Sequence, residues 1–178
     1  MTRGLRLLAG ALALPIALGA NLTPAFAAET APAASAAVKE VDGQYFDAKG
    51  APTYKIAPDG TVDWRTFSGF RRFNGTCSVC HGPDGSGSSF GPDLTASLKT
   101  LGYYDFTATA IAGRTNVSSS QDLVMPSFGT NKNVMCYLDD IYVYLRARSD
   151  GALGRGRPQH HAPKPEAVTK AEDACMAP

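Results

Sequence analysis

This 178-residue chain has no charge of one sign to spare: 17 Lys and Arg stand against 16 Asp and Glu, a formal charge of +1. Nothing in that balance calls for nucleic acid or an anionic membrane as partner. Past residue 18 no apolar run is long enough to cross a bilayer. No internal repeat is present, so a solenoid or propeller is excluded. Of the four cysteines, only Cys77 and Cys80 are close together. Cys136 and Cys175 lie far apart with no neighbouring histidine, so the second close ligand pair of a structural zinc site is missing.

What is there begins with Cys77-Ser78-Val79-Cys80-His81, a C-x-x-C-H. The spacing sets two thiols on one helical turn, where both can add to the vinyl groups on one porphyrin edge, and the histidine follows as an axial ligand to iron. C-x-x-C alone also serves dithiol redox sites and half of a zinc site. The adjacent histidine and the lack of a βαβ setting favour one covalently bound haem c.

The N-terminus reads as an export signal. Arg3 and Arg6 precede an apolar run from Leu7 to Leu18 broken by Pro15, and Ala25-Phe26-Ala27 is an A-x-A cleavage site. A retained N-terminal anchor is the alternative. Cleavage after Ala27 removes Arg3 and Arg6 from the 17 cations and no acid, leaving 15 basic against 16 acidic side chains. Export to the periplasm permits disulfides. With Cys77 and Cys80 on haem, Cys136 and Cys175 remain as an even pair and are expected to bridge, two unrelated thiols being the alternative. The Arg146, Arg148, Arg155 and Arg157 group reads either as a docking patch for an acidic partner or as a solvated basic tail.

The chain divides into a signal peptide (1–27), a flexible Ala/Pro/Ser-rich leader (28–40), an N-terminal extension (41–62), a haem domain (63–148) and a C-terminal tail (149–178). The extension should hold short extended segments or a small hairpin. Asp63 is a good N-cap for a helix with Trp64, Phe67, Phe70 and Phe73 as its apolar stripe. A glycine- and proline-rich loop runs from Gly82 to Pro92, and a short helical turn is expected over Leu94–Leu98. A helix over Tyr104–Arg114 should face Phe106 and Ile111 inward. Leu123–Lys132 reads as an irregular loop, and Val134–Arg148 as the final helix. The tail is expected to be extended and held by Cys175.

A haem held by His81 alone would be open to small ligands, as in a sensor or an enzyme. Among the methionines, Met125 is the best second ligand, because it stands in a loop that Pro126 stiffens. Met135 sits in a helical pattern where core filling is ordinary, and Met176 adjoins Cys175. His160 and His161 read as solvated tail residues.

Taken together, Cys77-x-x-Cys80-His81, Gly91-Pro92-Asp93-Leu94, Met125-Pro126-x-Phe128 and Tyr142-Val143-Tyr144-Leu145 resemble the class I cytochromes c over about residues 63–148. The resemblance implies an all-α class I cytochrome c fold, a small helical bundle around haem. Its first and last helices would cross with Gly69 and Phe73 against Ile141 and Tyr144. It also implies that the carbonyl of Pro92 accepts the Nδ1 proton of His81.

One haem motif, two further cysteines and extensions at both ends resemble the four-cysteine periplasmic cytochromes c of methanol metabolism. That implies an electron-transfer protein rather than an enzyme, monomeric and without a membrane anchor. The implied donor is a quinoprotein (PQQ) methanol or alcohol dehydrogenase, the acceptor another cytochrome c or a terminal oxidase. A haem subunit of a larger respiratory complex is the third possibility.

Overall fold

The computed structural model describes Met1 and residues 35–117 and 122–178. The export signal and most of the leader lie outside the described residues. Three short antiparallel strands come first, in the order β1 (Lys39–Val41), β2 (Gln44–Phe46), β3 (Pro52–Thr53). Asp42 and Gly43 join the first two with φ of 52° and 78°. Both positive values suit a two-residue turn whose twist matches the strands. The expected flexible leader ends earlier than residue 40: Ser35 is buried, its carbonyl accepts from Thr53 Oγ1 at 2.6 Å, and its hydroxyl accepts from Arg146 Nε at 3.1 Å.

The extension packs on the helical domain through Tyr54. That ring lies against Val143 and Ala147, and its hydroxyl donates to Asp150 at 3.0 Å. Helix α1 (Trp64–Thr76) starts where the capping chemistry predicts. Asp63 Oδ1 accepts from the Thr66 N–H at 2.9 Å, and Oδ2 from Thr66 Oγ1 at 2.6 Å and the Lys55 N–H at 2.8 Å. Such a cap contributes about 1 kcal/mol. This one also ties the extension to the helix.

After α1 come α2 (Ser78–His81), a 3-10 turn over Pro83–Gly85, α3 (Leu94–Ser97) and α4 (Tyr103–Ala112). Strands β4 (Arg114–Val117) and β5 (Asp122–Met125) form a second hairpin, followed by α5 (Lys132–Met135), α6 (Leu138–Ser149) and α7 (Glu166–Met176). The core sits where α1 crosses α6. Tyr144 packs edge-on to Phe70 (centroids 5.7 Å apart) and tilted to Phe73 (5.6 Å). Ile141 to Leu145 are all buried, since α6 is covered on one side by α1 and elsewhere by β3 and α3. Five successive apolar or aromatic residues, more than one helix face, suit a segment covered from several sides. No described helix is long and apolar enough to cross a membrane.

Four expectations are corrected. Residues from Leu123 are not all irregular loop: Leu123 to Met125 pair with Arg114 to Asn116. The partner strand is supplied by residues just beyond α4, which no pattern local to 123–132 reveals. The helix read over Val134–Arg148 is two, broken at Cys136 and Tyr137, where Tyr137 takes φ −131° and ψ 15°. Its ring lies under Arg72, with the guanidinium 3.4 Å from the ring centroid. The tail is not simply extended, because Glu166–Met176 is helical. That stretch is made of good helix formers with a Glu166–Lys170 pair one turn apart and a buried Val168. Lastly, Ile111 is 43% exposed, and Ala110, one turn after Phe106, is the buried residue.

Candidate functional site

Helix α1 delivers Cys77 to its C-cap, where the Cys77 N–H donates to Phe73 O at 2.8 Å. The chain turns at once into α2. The carbonyl of Cys77 accepts from the N–H groups of Cys80 (3.2 Å) and His81 (2.9 Å). Cys77 and Cys80 are free, half-buried thiols on one face of that turn. Burial, and then the neighbouring Cys80, push the Cys77 thiol up to about 11. It is therefore a neutral thiol at pH 7.

His81 is buried, and its Nδ1 lies 3.0 Å from the carbonyl oxygen of Pro92. Because a carbonyl only accepts, Nδ1 carries the proton and Nε2 keeps a free lone pair. The loop that brings Pro92 to this place is pinned beneath the ring. Gly87 N–H donates to His81 O at 2.8 Å, Ser88 N–H to Gly91 O at 2.9 Å, and the Ser88 hydroxyl to Cys80 O. A Cβ on Gly91 would lie 3.0 Å from His81 Nδ1 and 3.0 Å from Cys80 O. Only glycine lets the loop approach the ring so closely. Asp93 then caps α3, accepting from Ala96 N–H at 2.9 Å and Thr95 Oγ1 at 2.6 Å. Those bonds, that to Thr95 first, hold its carboxyl below the usual range.

Met125 ends β5, half-buried. The segment after it is tied to the end of α4: Ser127 Oγ donates to Ile111 O at 2.6 Å, and Phe128 N–H to Ala110 O at 3.0 Å. A Cβ on Gly113 would stand 2.6 Å from the Met125 carbonyl, so this close approach also depends on glycine. Cys77, Leu94, Tyr103, Met125, Phe128 and Met135 all lie half-buried against the one main core cluster. Burial first, then the hydrogen bond to Asp139 (2.6 Å), push the Tyr103 phenol upward, so it stays neutral.

These residues fit a haem c. Two thiols on one turn could bond the porphyrin edge, while an imidazole with its protonated nitrogen already engaged and a thioether are protein donors of the kind a low-spin haem iron takes. Among the described residues no group of three or more His, Cys, Asp or Glu could hold a metal ion by itself.

Of the other candidates, Cys136 and Cys175 are bonded to each other, Cα atoms 5.7 Å apart, and join α5 to α7. Met135 packs on the same cluster as Met125, and Met176 is exposed on α7. His161 is stacked on Phe67, centroids 3.8 Å apart, near the start of α1 and away from the attachment turn. The arginine group is dispersed and does not form a patch. Arg146 turns inward to Asp150 and Leu98 O, and Arg148 donates to Leu153 O at 2.7 Å. Arg155 reaches Asp84 at 3.4 Å, and Arg157 lies 5.1 Å from the Phe67 ring centroid. Sequence reasoning missed Ser88 and Gly113 as supports of the site. The only local signal for them is their place near the motifs at His81 and Met125.

No family model matches the chain. It is 53% identical over 136 residues to cytochrome c-553I of Paracoccus denitrificans, covering 76% of the chain and 60% of that relative's length. With cytochrome c-555 of Methylococcus capsulatus it shares 38% identity over 96 residues, 53% of the chain and 72% of the relative. The crystal structure of the c-type cytochrome XoxG from Methylobacterium extorquens AM1 superposes with a TM-score of 0.75. The identity there is 51%, over 80% of this chain and 87% of that one.

Proposed function

The chain belongs to the class I c-type cytochromes, and on that premise we propose that it is a monomeric periplasmic carrier of single electrons. Its donor is a quinoprotein methanol or alcohol dehydrogenase, and its acceptor a further cytochrome c or a terminal oxidase. Haem c, when bound, supplies the one-electron iron couple. Everything else is the work of this chain's residues.

Cys77 and Cys80 hold the ring by thioethers. His81 Nε2 and the Met125 thioether would be the chain's two donors to the iron. The single observation that carries this reading is the His81 Nδ1 to Pro92 O bond of 3.0 Å, beside two free thiols on the same turn. It holds the proton on Nδ1, aims the lone pair, and raises the basicity of the ligand. The half-buried Leu94, Tyr103 and Phe128 would help to shield the group from water, and a thioether ligand would raise its potential and leave no open position for a substrate.

The Arg3 to Ala27 leader supports export, and the Cys136–Cys175 bridge agrees with an oxidising compartment. The four-cysteine architecture supports the dehydrogenase as donor.

The visible spectrum of the oxidised holoprotein tests the ligand set. Met125→Leu should abolish the weak red band of a thioether–iron bond, and Met135→Leu should keep it. A high-spin wild type that binds carbon monoxide readily would instead mean an open site. For the donor, purified PQQ-dependent methanol dehydrogenase with methanol should reduce the cytochrome in a saturable manner. No reduction would reject that assignment while leaving the carrier in place.

A further inference from the structure

Helix α1 presents positive charge that the fold leaves without an ion pair. Arg65, Arg146 and Arg155 have carboxylate partners, but Arg71 and Arg72 take part in no ion pair among the described residues. With Gly75, Thr76 and Asn133 they line a surface pocket of about 310 Å³. The Arg72 guanidinium lies on the Tyr137 ring at 3.4 Å, which fixes its plane without using its in-plane N–H donors. Arg71 is exposed beside it. Two guanidinium groups in one concavity whose lining holds no acidic residue make a local positive field that attracts an anion, and the neighbouring Glu172 is already paired with Lys164. Their planar forks match a carboxylate.

Position decides which anion. Thr76 lines the pocket and directly precedes Cys77, so the pocket abuts the turn that attaches the haem. On that same turn Val79 is 78% exposed, an apolar contact surface next to the charged one. The pocket is also larger than a lone oxyanion needs and has room for a whole acidic side chain.

We propose that the Arg71–Arg72 pocket receives a carboxylate side chain of the electron-transfer partner protein, seating that partner against the haem-attachment turn. The inference rests on the carrier reading above and adds to it the contact surface and its chemistry.

The test uses the reduced holoprotein and hexacyanoferrate(III), an anionic oxidant that takes one electron and becomes hexacyanoferrate(II). The Arg71→Gln/Arg72→Gln variant should be oxidised about three- to tenfold more slowly at low ionic strength, with the difference vanishing as salt screens the pocket. Arg71→Gln alone should show part of the effect, and it leaves the Arg72–Tyr137 stack intact. Lys39→Gln, an equal charge change on the exposed strand β1, should have little effect. With ionic strength held constant, hexaglutamate should inhibit the wild type and not the double variant, and inorganic phosphate should inhibit neither. Equal slowing by Lys39→Gln, equal inhibition of both proteins by hexaglutamate, or inhibition of the wild type by phosphate would overturn the proposal. Neutral 1,4-benzoquinone separates the two readings. A wild type oxidised by neither reagent is no carrier, whereas one oxidised by both with no effect of Arg71→Gln is a carrier without this docking site.

Discussion

Gly69 on α1 and Asp140 on α6 meet so closely that a Cβ on the glycine would lie 1.9 Å from the Asp140 carbonyl oxygen and 2.8 Å from Tyr144 Cβ. The two helices cross with backbone against backbone at this point. The aspartate is itself buried there and ion-paired to Arg65 at 2.9 Å. One crossing thus joins the tightest packing in the core to a buried charge.

Gly69→Ala should destabilise the protein by about 2 kcal/mol or more. Alanine gains about 1 kcal/mol in helix propensity. The added methyl would stand 1.9 Å from a backbone carbonyl that cannot rotate away, an overlap at or beyond the upper end, about 3 kcal/mol, of what overpacking usually costs. Urea denaturation of wild type and variant, with the midpoint falling in the variant, checks this.

Asp140 should make stability fall as pH rises between 3.8 and about 6. Burial pushes its carboxyl up from 3.8 to about 6, against the opposing pull of Arg65 and a hydrogen bond from Ser68. In that window the folded protein holds a proton that the unfolded chain has released. By linkage this group's contribution is therefore best below 3.8, declines to about 6 and is level above. Asp140→Asn keeps an acceptor for Arg65 and should flatten that part of the profile. Equal slopes in the two proteins would contradict the assignment.

Replacing both Cys136 and Cys175 by serine should lower stability by about 2–4 kcal/mol. The bond closes a separation of 39 residues and fastens α7 to α5. Without it, α7 keeps the buried Val168 and the hydrogen bond from Lys132 Nζ to the Ala177 carbonyl just past its end. Amide exchange should accelerate first in residues 166–176. The haem spectrum should stay as it was, because neither cysteine belongs to the attachment turn.

Gly91→Ala should raise the reduction potential by up to about 60 mV, a tenfold change in the one-electron equilibrium. The new methyl would stand 3.0 Å from His81 Nδ1 and lengthen its bond to Pro92 O. A less basic imidazole stabilises the oxidised iron less. Potentiometric titration gives the sign directly, and a fall in potential would contradict the argument.

The parts of the site legible in the sequence were those with short-range causes. The Cys77–His81 turn needs five consecutive residues, and Asp63 caps a helix that begins at the next position. Glycine beside Pro92 has a local reading too, although its reason, the closeness of the His81 ring, appears only in three dimensions. The α7 helix had a local signal in Glu166, Lys170 and Glu172, hidden by the glycine and proline that precede it.

By itself the sequence determined the attachment chemistry, the start of α1 and the apolar faces that meet at the core, because spacing and capping act within one or two turns. Only the tertiary structure decided that Met125 ends a strand, that the helix after Asn131 breaks at Tyr137, and that Arg146 and Arg155 find carboxylates while Arg71 and Arg72 line an open pocket. Each of those outcomes depends on a partner distant in the chain: Arg114 for Met125, Arg72 for Tyr137, Asp84 for Arg155. A strand needs another strand's hydrogen bonds, and an arginine is free or spent according to which carboxylate folding brings within reach.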